Sequence, residues 1–247
     1  MLRSMQESWL GVPGDTGNRL LDALPAGQRV HLVRCMRAVP LRLRQVVHEQ
    51  GHPIEHVVFP LDGVISLVVA MEDGSAVETA TVGREGLVGL PVCLTEDGVA
   101  THRAVVQIQG EGLAIDAAAF LAELGDLPAM RRIVAGYANA LLAQVSQSVA
   151  CNGSHTLRQR CARWLLQTGD RVGSECFYLT QEFFAQMLGV RRASVTVIAG
   201  SLRDAGLIRY RRGRVEIVDR PGLEALSCEC YRVVRDHYQR LIPGPER

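Results

Sequence analysis

Lysine is absent from this chain of 247 residues, and all 27 of its basic residues are arginine. Long hydrophobic runs are absent too: none reaches the roughly 20 residues that a membrane-spanning helix needs. The N-terminal stretch lacks the uninterrupted apolar segment of a signal peptide. Because 47% of the residues are hydrophobic, a packed core is still available. We therefore expect a cytoplasmic protein with no membrane partner.

The seven cysteines do not show the pattern of a disulfide framework, because their number is odd and their spacing is irregular. Most are expected to be reduced and partly buried. Cys228 and Cys230 could be a redox or metal pair, or two unrelated thiols. If that segment is helical, residues two apart do not face each other. We expect no metal site and no cofactor.

Charge is unevenly distributed, although the formal net charge is only +1. Residues 1–126 carry 9 Arg and 16 acidic residues, whereas residues 156–220 carry 12 Arg and 6 acidic residues. Such a basic block is the electrostatic pattern expected of a module that binds nucleic acid.

Within the basic block, residues 179–207 have the pattern of two helices joined by a tight turn. Thr180 can cap the first helix, and Gly189 can end it in the left-handed conformation. The small Ala185 lets the two helices cross closely, while Val195 faces inward from the second. This order is typical of a DNA-binding helix-turn-helix, although an ordinary helical hairpin can match the same pattern.

A predicted β-hairpin follows the second helix directly, from Leu207 to Val218, with Gly213 in its turn. A hairpin at this place is the wing of a winged helix-turn-helix. Its tip carries three arginines suited to backbone phosphates, Arg211, Arg212 and Arg214. The wing therefore favours DNA binding over the plain helical hairpin.

The first half of the chain changes from a helical to a β pattern. After a loose arm in residues 1–18, a helical segment broken at Pro25 is predicted over residues 19–37. Short β-rich runs follow, separated by glycine-containing turns. They are Val46–Val47, His56–Phe59, Val64–Met71, Val77–Val82, Arg103–Ile108 and Leu113–Ile115. Many short strands of this kind predict a small barrel or roll.

Residues 127–152 are predicted to form one long helix, with Asp126 as its N-cap and an interruption at residues 152–154. Its apolar stripe must be buried, either against the roll or against a twin helix from a second subunit. We expect a homodimer, and the interface residues predicted are Met130, Val134, Tyr137, Leu141 and Val145.

This order of roll, long helix and winged helix-turn-helix resembles the CRP/FNR family of bacterial transcription regulators over about residues 19–220. The most specific segments are residues 48–53, 61–65, 83–89 and 179–208. The resemblance implies an α+β fold with three parts. These are a cyclic-nucleotide-binding-like jelly roll that senses an effector (1–126), a dimerisation helix (127–152) and a winged helix-turn-helix domain (153–247). It implies a homodimeric regulator, not an enzyme, that binds a palindromic operator in double-stranded DNA and can contact RNA polymerase.

The resemblance also implies an effector pocket between the roll and the long helix, where this chain departs from the cAMP-binding members. Those members carry an Arg that grips the cyclic phosphate, and the corresponding position here is Ala100. Without that Arg a buried anion is poorly compensated, so cAMP is not the expected effector and the effector stays open. The pocket residues implied are Gly83, Arg84, Glu85, Gly86, Leu87, Thr101, His102, Arg103, Val145 and Ser146.

By the same resemblance, the second helix of the helix-turn-helix lies in the major groove, with Arg192, Ala193 and Val197 at base-reading positions. Among these, Arg192 alone can form hydrogen bonds, and an Arg reads guanine through O6 and N7. Ser194 and Thr196 are expected at phosphates or bases. The residues expected to hold the DNA backbone are Thr180, Gln181, Arg191, Arg211, Arg212 and Arg214.

Parts of the sequence also match other functions. The segment from His52 to His56 matches the H-x-x-E-H pattern of some zinc proteases, and His48 lies four residues earlier. That chemistry needs both His on one helical face, whereas Gly51 and Pro53 indicate a turn between strands. A noncatalytic metal or haem site stays open. A small-molecule or metal sensor whose helix-turn-helix serves packing only is a further alternative. Salt-sensitive binding to duplex DNA would distinguish a DNA-binding regulator from such a sensor.

Overall fold

The computed structural model describes residues 15–72 and 76–241, beginning with a β-roll. Its seven strands are β1 (Arg37–Leu41), β2 (Val46–His48), β3 (His56–Pro60), β4 (Val64–Ala70), β5 (Ala76–Val82), β6 (Arg103–Ile108) and β7 (Gly110–Asp116). They form two antiparallel sheets with the strand orders β1-β7-β3 and β2-β6-β4-β5. The predicted α+β class and the roll are confirmed.

Aliphatic side chains fill the space between the two sheets. Ile65 on β4 is paired with Val82 on β5 and with Val106 on β6, and all three are fully buried. Val58 and Ala114, which are partners on the opposite sheet, belong to the same buried cluster. The short β-rich runs that predicted the strands therefore supply side chains to this interior.

Two short helices precede the roll, α1 (Arg19–Asp22) and α2 (Ala26–Arg34), and Pro25 separates them as predicted. The predicted helical segment extends too far, because Arg37 already begins β1. Backbone pairing of Arg37 with Ala114 holds this residue in the sheet.

The prediction of a loose arm is wrong for residues 15–18; residues 1–14 lie outside the described part. Asn18 is fully buried, and its Oδ1 accepts hydrogen bonds from the first turn of α1. Its Nδ2 donates to the carbonyl oxygens of Pro60, at 2.8 Å, and Gly86, at 2.9 Å. This side chain therefore fixes the start of the described chain to the roll.

Two helices, α3 (Ala117–Asp126) and α4 (Pro128–Ser154), follow the roll. Asp126 is the last residue of α3 and not the N-cap of α4, because the alanine-rich segment after Asp116 forms a helix of its own. The interruption predicted at residues 152–154 is also absent, because α4 continues to Ser154. Thr156 then caps the next helix. No helix within residues 15–72 and 76–241 is long and apolar enough to span a bilayer.

The C-terminal half contains the predicted winged helix-turn-helix. Its elements are α5 (Leu157–Val172), β8 (Cys176–Tyr178), α6 (Gln181–Leu188), α7 (Arg192–Asp204), β9 (Ile208–Arg211) and β10 (Arg214–Ile217). The strand order is β8-β10-β9, so β8 adds a third strand that was not predicted. Two helices, α8 (Arg220–Leu226) and α9 (Cys230–Leu241), replace the single final helix expected from the sequence.

Helix α9 returns to the long helix α4. The Tyr238 hydroxyl donates a hydrogen bond to Gln144 Oε1 at 2.7 Å, and the Tyr137 and Tyr238 rings lie 6.5 Å apart. One face of α4 is thus covered by the chain itself, which the apolar periodicity alone did not reveal.

The C-terminal half also packs against the outer surface of the roll. Trp164 Nε1 donates a hydrogen bond to Glu78 Oε1 at 2.7 Å, and Ser66 Oγ donates to the other carboxylate oxygen at 2.7 Å. Burial raises the pKa of Glu78 to about 7. A polar network therefore joins the roll to the helix that precedes the helix-turn-helix.

Candidate DNA-binding surface and sensor pocket

The first helix of the helix-turn-helix, α6, is bounded by the signals that predicted it. Thr180 Oγ1 accepts a hydrogen bond from the Phe183 N–H at 3.2 Å. Gly189 has φ 64°, the left-handed conformation that ends the helix. Ala185 on α6 is 4% exposed, and Val195 on α7 is fully buried. The local prediction of this motif is confirmed.

The second helix, α7, buries one face and exposes the other. Val195, Ala199 and Leu202 point into the core of the domain. Ser194 is half-buried. On the outer face the exposed residues are Arg191, Arg192, Ala193, Thr196 and Val197. The base-reading positions inferred by resemblance thus lie on the accessible side of the helix.

The outer face of α7 is joined to the start of α6 by side-chain contacts. Thr196 Oγ1 donates a hydrogen bond to Gln181 Oε1 at 2.7 Å. Arg192 NH1 lies 3.8 Å from a Glu182 carboxylate oxygen, with both side chains exposed. Predicted DNA-contacting residues from the two helices therefore share one surface.

The wing hairpin lies beside the same surface. Its turn residues Arg212 and Gly213 have φ of 50° and 77°, as in the two-residue turns that match the twist of a hairpin. The N–H of Leu179 donates to the Gly213 carbonyl oxygen at 2.7 Å, which places the turn next to the start of α6. Arg211, Arg212 and Arg214 are all exposed.

This surface has the chemistry of an anion-binding face. The start of α6 presents the positive end of the helix dipole. Exposed arginines flank it on α7 and on the wing. Such groups bind phosphates, while an exposed helix face between them can reach base edges.

Residues 83–87 form the loop predicted to line the effector pocket, here called the sensor loop, and the C-terminal half of the chain packs against it. Glu85 and Arg171 are both 6% exposed, and Arg171 Nε lies 2.9 Å from Glu85 Oε1. Arg171 NH2 also donates to Gln144 Oε1 at 3.0 Å. The sensor loop, the long helix and α5 thus meet in one buried polar network that the sequence did not predict.

At two glycines of this loop, side chains from elsewhere in the chain occupy the space that a Cβ would need. A Cβ on Gly83 would lie 2.7 Å from Arg171 Cβ, and one on Gly86 would lie 2.5 Å from Tyr137 Cε2. The Tyr137 hydroxyl donates to the Leu87 carbonyl oxygen at 2.7 Å. Gly83, Gly86 and Leu87 therefore pack against protein and not around an open pocket.

The other predicted pocket residues are not gathered around Glu85. Arg103 pairs with Val68 on β4. The last residue of β5, directly before the sensor loop, pairs with Ile65, which lies three residues earlier on β4. Three residues of a strand span about 10 Å, so the segment Thr101, His102 and Arg103 enters the sheet away from the loop. Arg103 instead forms an ion pair with Glu49 at 3.1 Å. Val145 packs on the roll interior, and Ser146 is exposed.

A cavity of about 200 Å³ lies next to the Glu85–Arg171 pair. Arg84 and Glu85 line it on the roll side, and Asp170, Tyr231 and Tyr238 line it on the C-terminal side. This cavity lies between the sensor loop, α5 and α9. Of the ten predicted pocket residues, Arg84 and Glu85 are those that line this cavity.

The predicted dimer residues need a correction, because most of them face the chain's own core. Met130, Val134 and Tyr137 are at most 5% exposed, and Leu141 and Val145 pack against the roll. The exposed side of α4 carries a different apolar set, in which Ala135, Leu142 and Val149 recur every seven residues. Leu142 is 64% exposed and Val149 is 69% exposed.

The three histidines of the H-x-x-E-H region do not form a zinc-protease site. Residues 51–55 contain no helix, and Gly51 has φ 78°. His48 Nε2 lies 2.8 Å from the His56 carbonyl oxygen, and His52 is exposed on the turn. Within the described residues, the groups close enough to share a metal ion do not include these histidines.

Sequence reasoning missed two residues near the end of α4. Cys151 and His155 lie next to Cys228 and Cys230, and the four side chains form one compact cluster. The available signal was the Cys-x-x-x-His spacing, because residues four apart share a helix face. The link to the Cys-x-Cys pair depends on how α9 packs, which local patterns do not show.

Comparisons with known proteins match both halves of the chain. Residues 38–126 match the cyclic nucleotide-binding domain model, and residues 159–226 match the Crp-like helix-turn-helix domain model. No curated protein sequence gives a significant match.

Solved structures share the fold at low sequence identity. FixK2 from Bradyrhizobium japonicum is 16% identical, with a TM-score of 0.67 over 78% of this chain and 98% of its own. The c-di-GMP-responsive global regulator CLP of Xanthomonas campestris is 15% identical, with a TM-score of 0.65 over 78% of this chain and 99% of its own. The CRP/FNR regulator TTHA1359 of Thermus thermophilus is 20% identical, with a TM-score of 0.60 over 77% and 98%.

Proposed function

We propose that this chain, which belongs to the CRP/FNR family of transcription regulators, is a homodimer that binds a palindromic DNA operator. The observation that carries the proposal is the exposed face of α7 between the start of α6 and an arginine-bearing wing. In this family of motifs, the second helix enters the major groove and the dimer reads two half-sites. The proposal places the protein in the cytoplasm.

The proposed homodimer uses the exposed seam of α4 formed by Ala135, Leu142 and Val149. Residues seven apart lie on one face of a helix, as the equivalent core positions of a two-helix coiled coil do. This seam replaces the set of interface residues predicted from the sequence, because the members of that set are buried in the chain or pack against the roll. Two copies joined along α4 would each present one α7 to the DNA.

The DNA contacts divide into residues that read bases and residues that hold the backbone. Arg192 is proposed to read a guanine, with Ala193 and Val197 next to thymine methyl groups. Ser194 and Thr196 are proposed at phosphates or bases, and Thr196 is already oriented by Gln181. The proposed backbone contacts come from Thr180, Gln181, Arg191, Arg211, Arg212 and Arg214.

Two arginine variants test this division. Arg192→Ala should cost about 1–3 kcal/mol and relax the preference at one base pair in each half-site. Arg212→Ala should weaken operator and random DNA alike and reduce the slope of log affinity against log salt by about one unit. Fluorescence anisotropy with both DNAs at several salt concentrations measures both effects. An unchanged ratio of operator to random binding in Arg192→Ala would refute the reading role.

We propose that cAMP is not the effector. Ala100, where cAMP-binding relatives are expected to carry the phosphate-gripping Arg, is 4% exposed. The loop carboxylate of Glu85 is engaged by Arg171, and Tyr137 packs against Gly86. Isothermal titration calorimetry should detect no binding of cAMP at micromolar concentration, and a micromolar dissociation constant would contradict the proposal.

The alternative function is a small-molecule or metal sensor whose helix-turn-helix serves packing only. An exposed Val197, at 70%, together with exposed arginines, argues against it, because a packing motif would cover this face. The alternative predicts no salt-sensitive binding to duplex DNA. If DNA binding is found, transcription in vitro from an operator-bearing promoter would test the proposed contact with RNA polymerase.

A further inference from the structure

Three cysteines and one histidine come together where the long helix ends. Cys151 and His155 lie at the C-terminal end of α4, Cys228 lies between α8 and α9, and Cys230 begins α9. The four candidate ligand atoms all lie within 4.8 Å of one another. Three buried thiols beside a histidine are the donor set that soft, tetrahedral metal ions prefer.

We propose that Cys151, His155, Cys228 and Cys230 bind one structural zinc ion per chain. The Sγ atoms of Cys151 and Cys228 lie 3.5 Å apart, and Cys230 Sγ lies 3.5 Å from His155 Nδ1. A tetrahedron with Zn–S bonds of about 2.3 Å separates its sulfurs by about 3.8 Å. The cluster is therefore close to the size of a mononuclear site, and a polynuclear iron–sulfur cluster would force its ligands further apart.

The surroundings of the four side chains resemble those of a built metal site. His155 Nε2 lies 3.2 Å from a Glu229 carboxylate oxygen, which would hold the Nε2 proton and leave Nδ1 to bind the metal. Gln147 Nε2 donates a hydrogen bond to Cys230 Sγ at 3.1 Å. Carboxylate–histidine pairing and hydrogen bonds to thiolate sulfur are the usual way in which proteins orient metal ligands.

The charge of the occupied site would also be compensated. Three thiolates and one Zn²⁺ carry a net charge of −1. Arg160 and Arg163 both interact electrostatically with Cys151, and Arg163 is buried. The arginines therefore suit the metal-bound state better than a group of neutral thiols.

The position of the site gives it a mechanical consequence. Residues 227–241 lie beyond the segment that matches the Crp-like domain, and α9 packs back onto α4 through Tyr238 and Gln144. A zinc ion would tie the start of α9 to the end of α4, next to the connection between α4 and α5 at residues 155–156. It would thereby fix the junction between the sensor half and the winged helix-turn-helix.

Metal analysis of the full chain, purified under reducing conditions, tests the proposal. Inductively coupled plasma mass spectrometry should find close to one zinc ion per chain. After exchange to Co²⁺, the absorption spectrum should show thiolate charge-transfer bands and the intense visible bands of a tetrahedral site. Cys228→Ser and Cys230→Ser should each lose the metal. Cys93→Ser should keep it, because this thiol lies outside the cluster.

Glu229→Ala provides a variant that should fold normally, because the Glu229 side chain is 61% exposed. Losing the carboxylate behind His155 should lower the zinc affinity by about 10–100-fold in competition with a chromogenic chelator. A folded, reduced chain that takes up neither Zn²⁺ nor Co²⁺ would overturn the proposal. So would iron or copper in place of zinc, or a Cys151–Cys228 disulfide in the freshly isolated protein.

Discussion

Replacing Leu142 by glutamate should convert the protein to monomers and reduce its affinity for a palindromic operator by at least about a hundredfold. Leu142 is 64% exposed in the single chain and lies at the centre of the proposed seam with Ala135 and Val149. A carboxylate there would lie opposite its own copy in a dry interface, where an unpaired charge is costly. The loss of DNA affinity follows because a monomer holds one half-site and loses the benefit of the second.

Analytical ultracentrifugation and anisotropy on the same samples measure the two effects. Ala150→Glu is the matched control, since it adds the same charge at an exposed position on another side of α4. The control should stay dimeric. A Leu142→Glu variant that sediments as a dimer would place the subunit interface elsewhere on the chain.

Replacing Arg171 by methionine should lower the free energy of unfolding by about 3–5 kcal/mol, because the Glu85 carboxylate would remain buried without its partner. Both residues are 6% exposed, and they join the sensor loop to α5. The same change removes the guanidinium that donates to Gln144 Oε1. The connection between the two halves should therefore loosen along with the loss of stability.

The double variant Glu85→Leu, Arg171→Met separates charge burial from packing. Removing both charges should recover much of the lost stability, since apolar replacements of a buried pair are often tolerated. Urea unfolding of the wild type, the two single variants and the double variant gives the coupling between the sites. Additive effects, each below about 1 kcal/mol, would show that the pair does not hold the halves together.

The parts of the fold that the sequence predicted depend on local chemistry. Thr180 caps α6, and Gly189 ends it, because each acts through its own backbone or side chain within one turn. Gly213 likewise predicted the wing turn, because its positive φ is a property of its own backbone. Strand positions in the roll followed from short β-rich runs separated by glycine-containing turns. None of these predictions required knowledge of which distant segments meet.

The errors arose where distant segments meet. The family resemblance implied a ligand site at the sensor loop, but Arg171 from α5 pairs with Glu85 and packs at Gly83, and Tyr137 packs at Gly86. The apolar residues of α4 lie on two faces of the helix. Periodicity alone could not separate the face covered by the roll from the exposed seam. Cys151 and Cys228 meet because α9 folds back onto α4, which the local pattern does not encode.

Selection of genomic DNA fragments by the purified full-length protein tests the central claim of operator binding most directly. The bound fragments should share an inverted repeat whose half-sites are centred about one helical turn, 10–10.5 base pairs, apart or a multiple of that distance. Affinity for that repeat should exceed affinity for random DNA by at least about a thousandfold and should fall steeply with salt. Fragments without a shared repeat, bound no better than random DNA, would contradict the account.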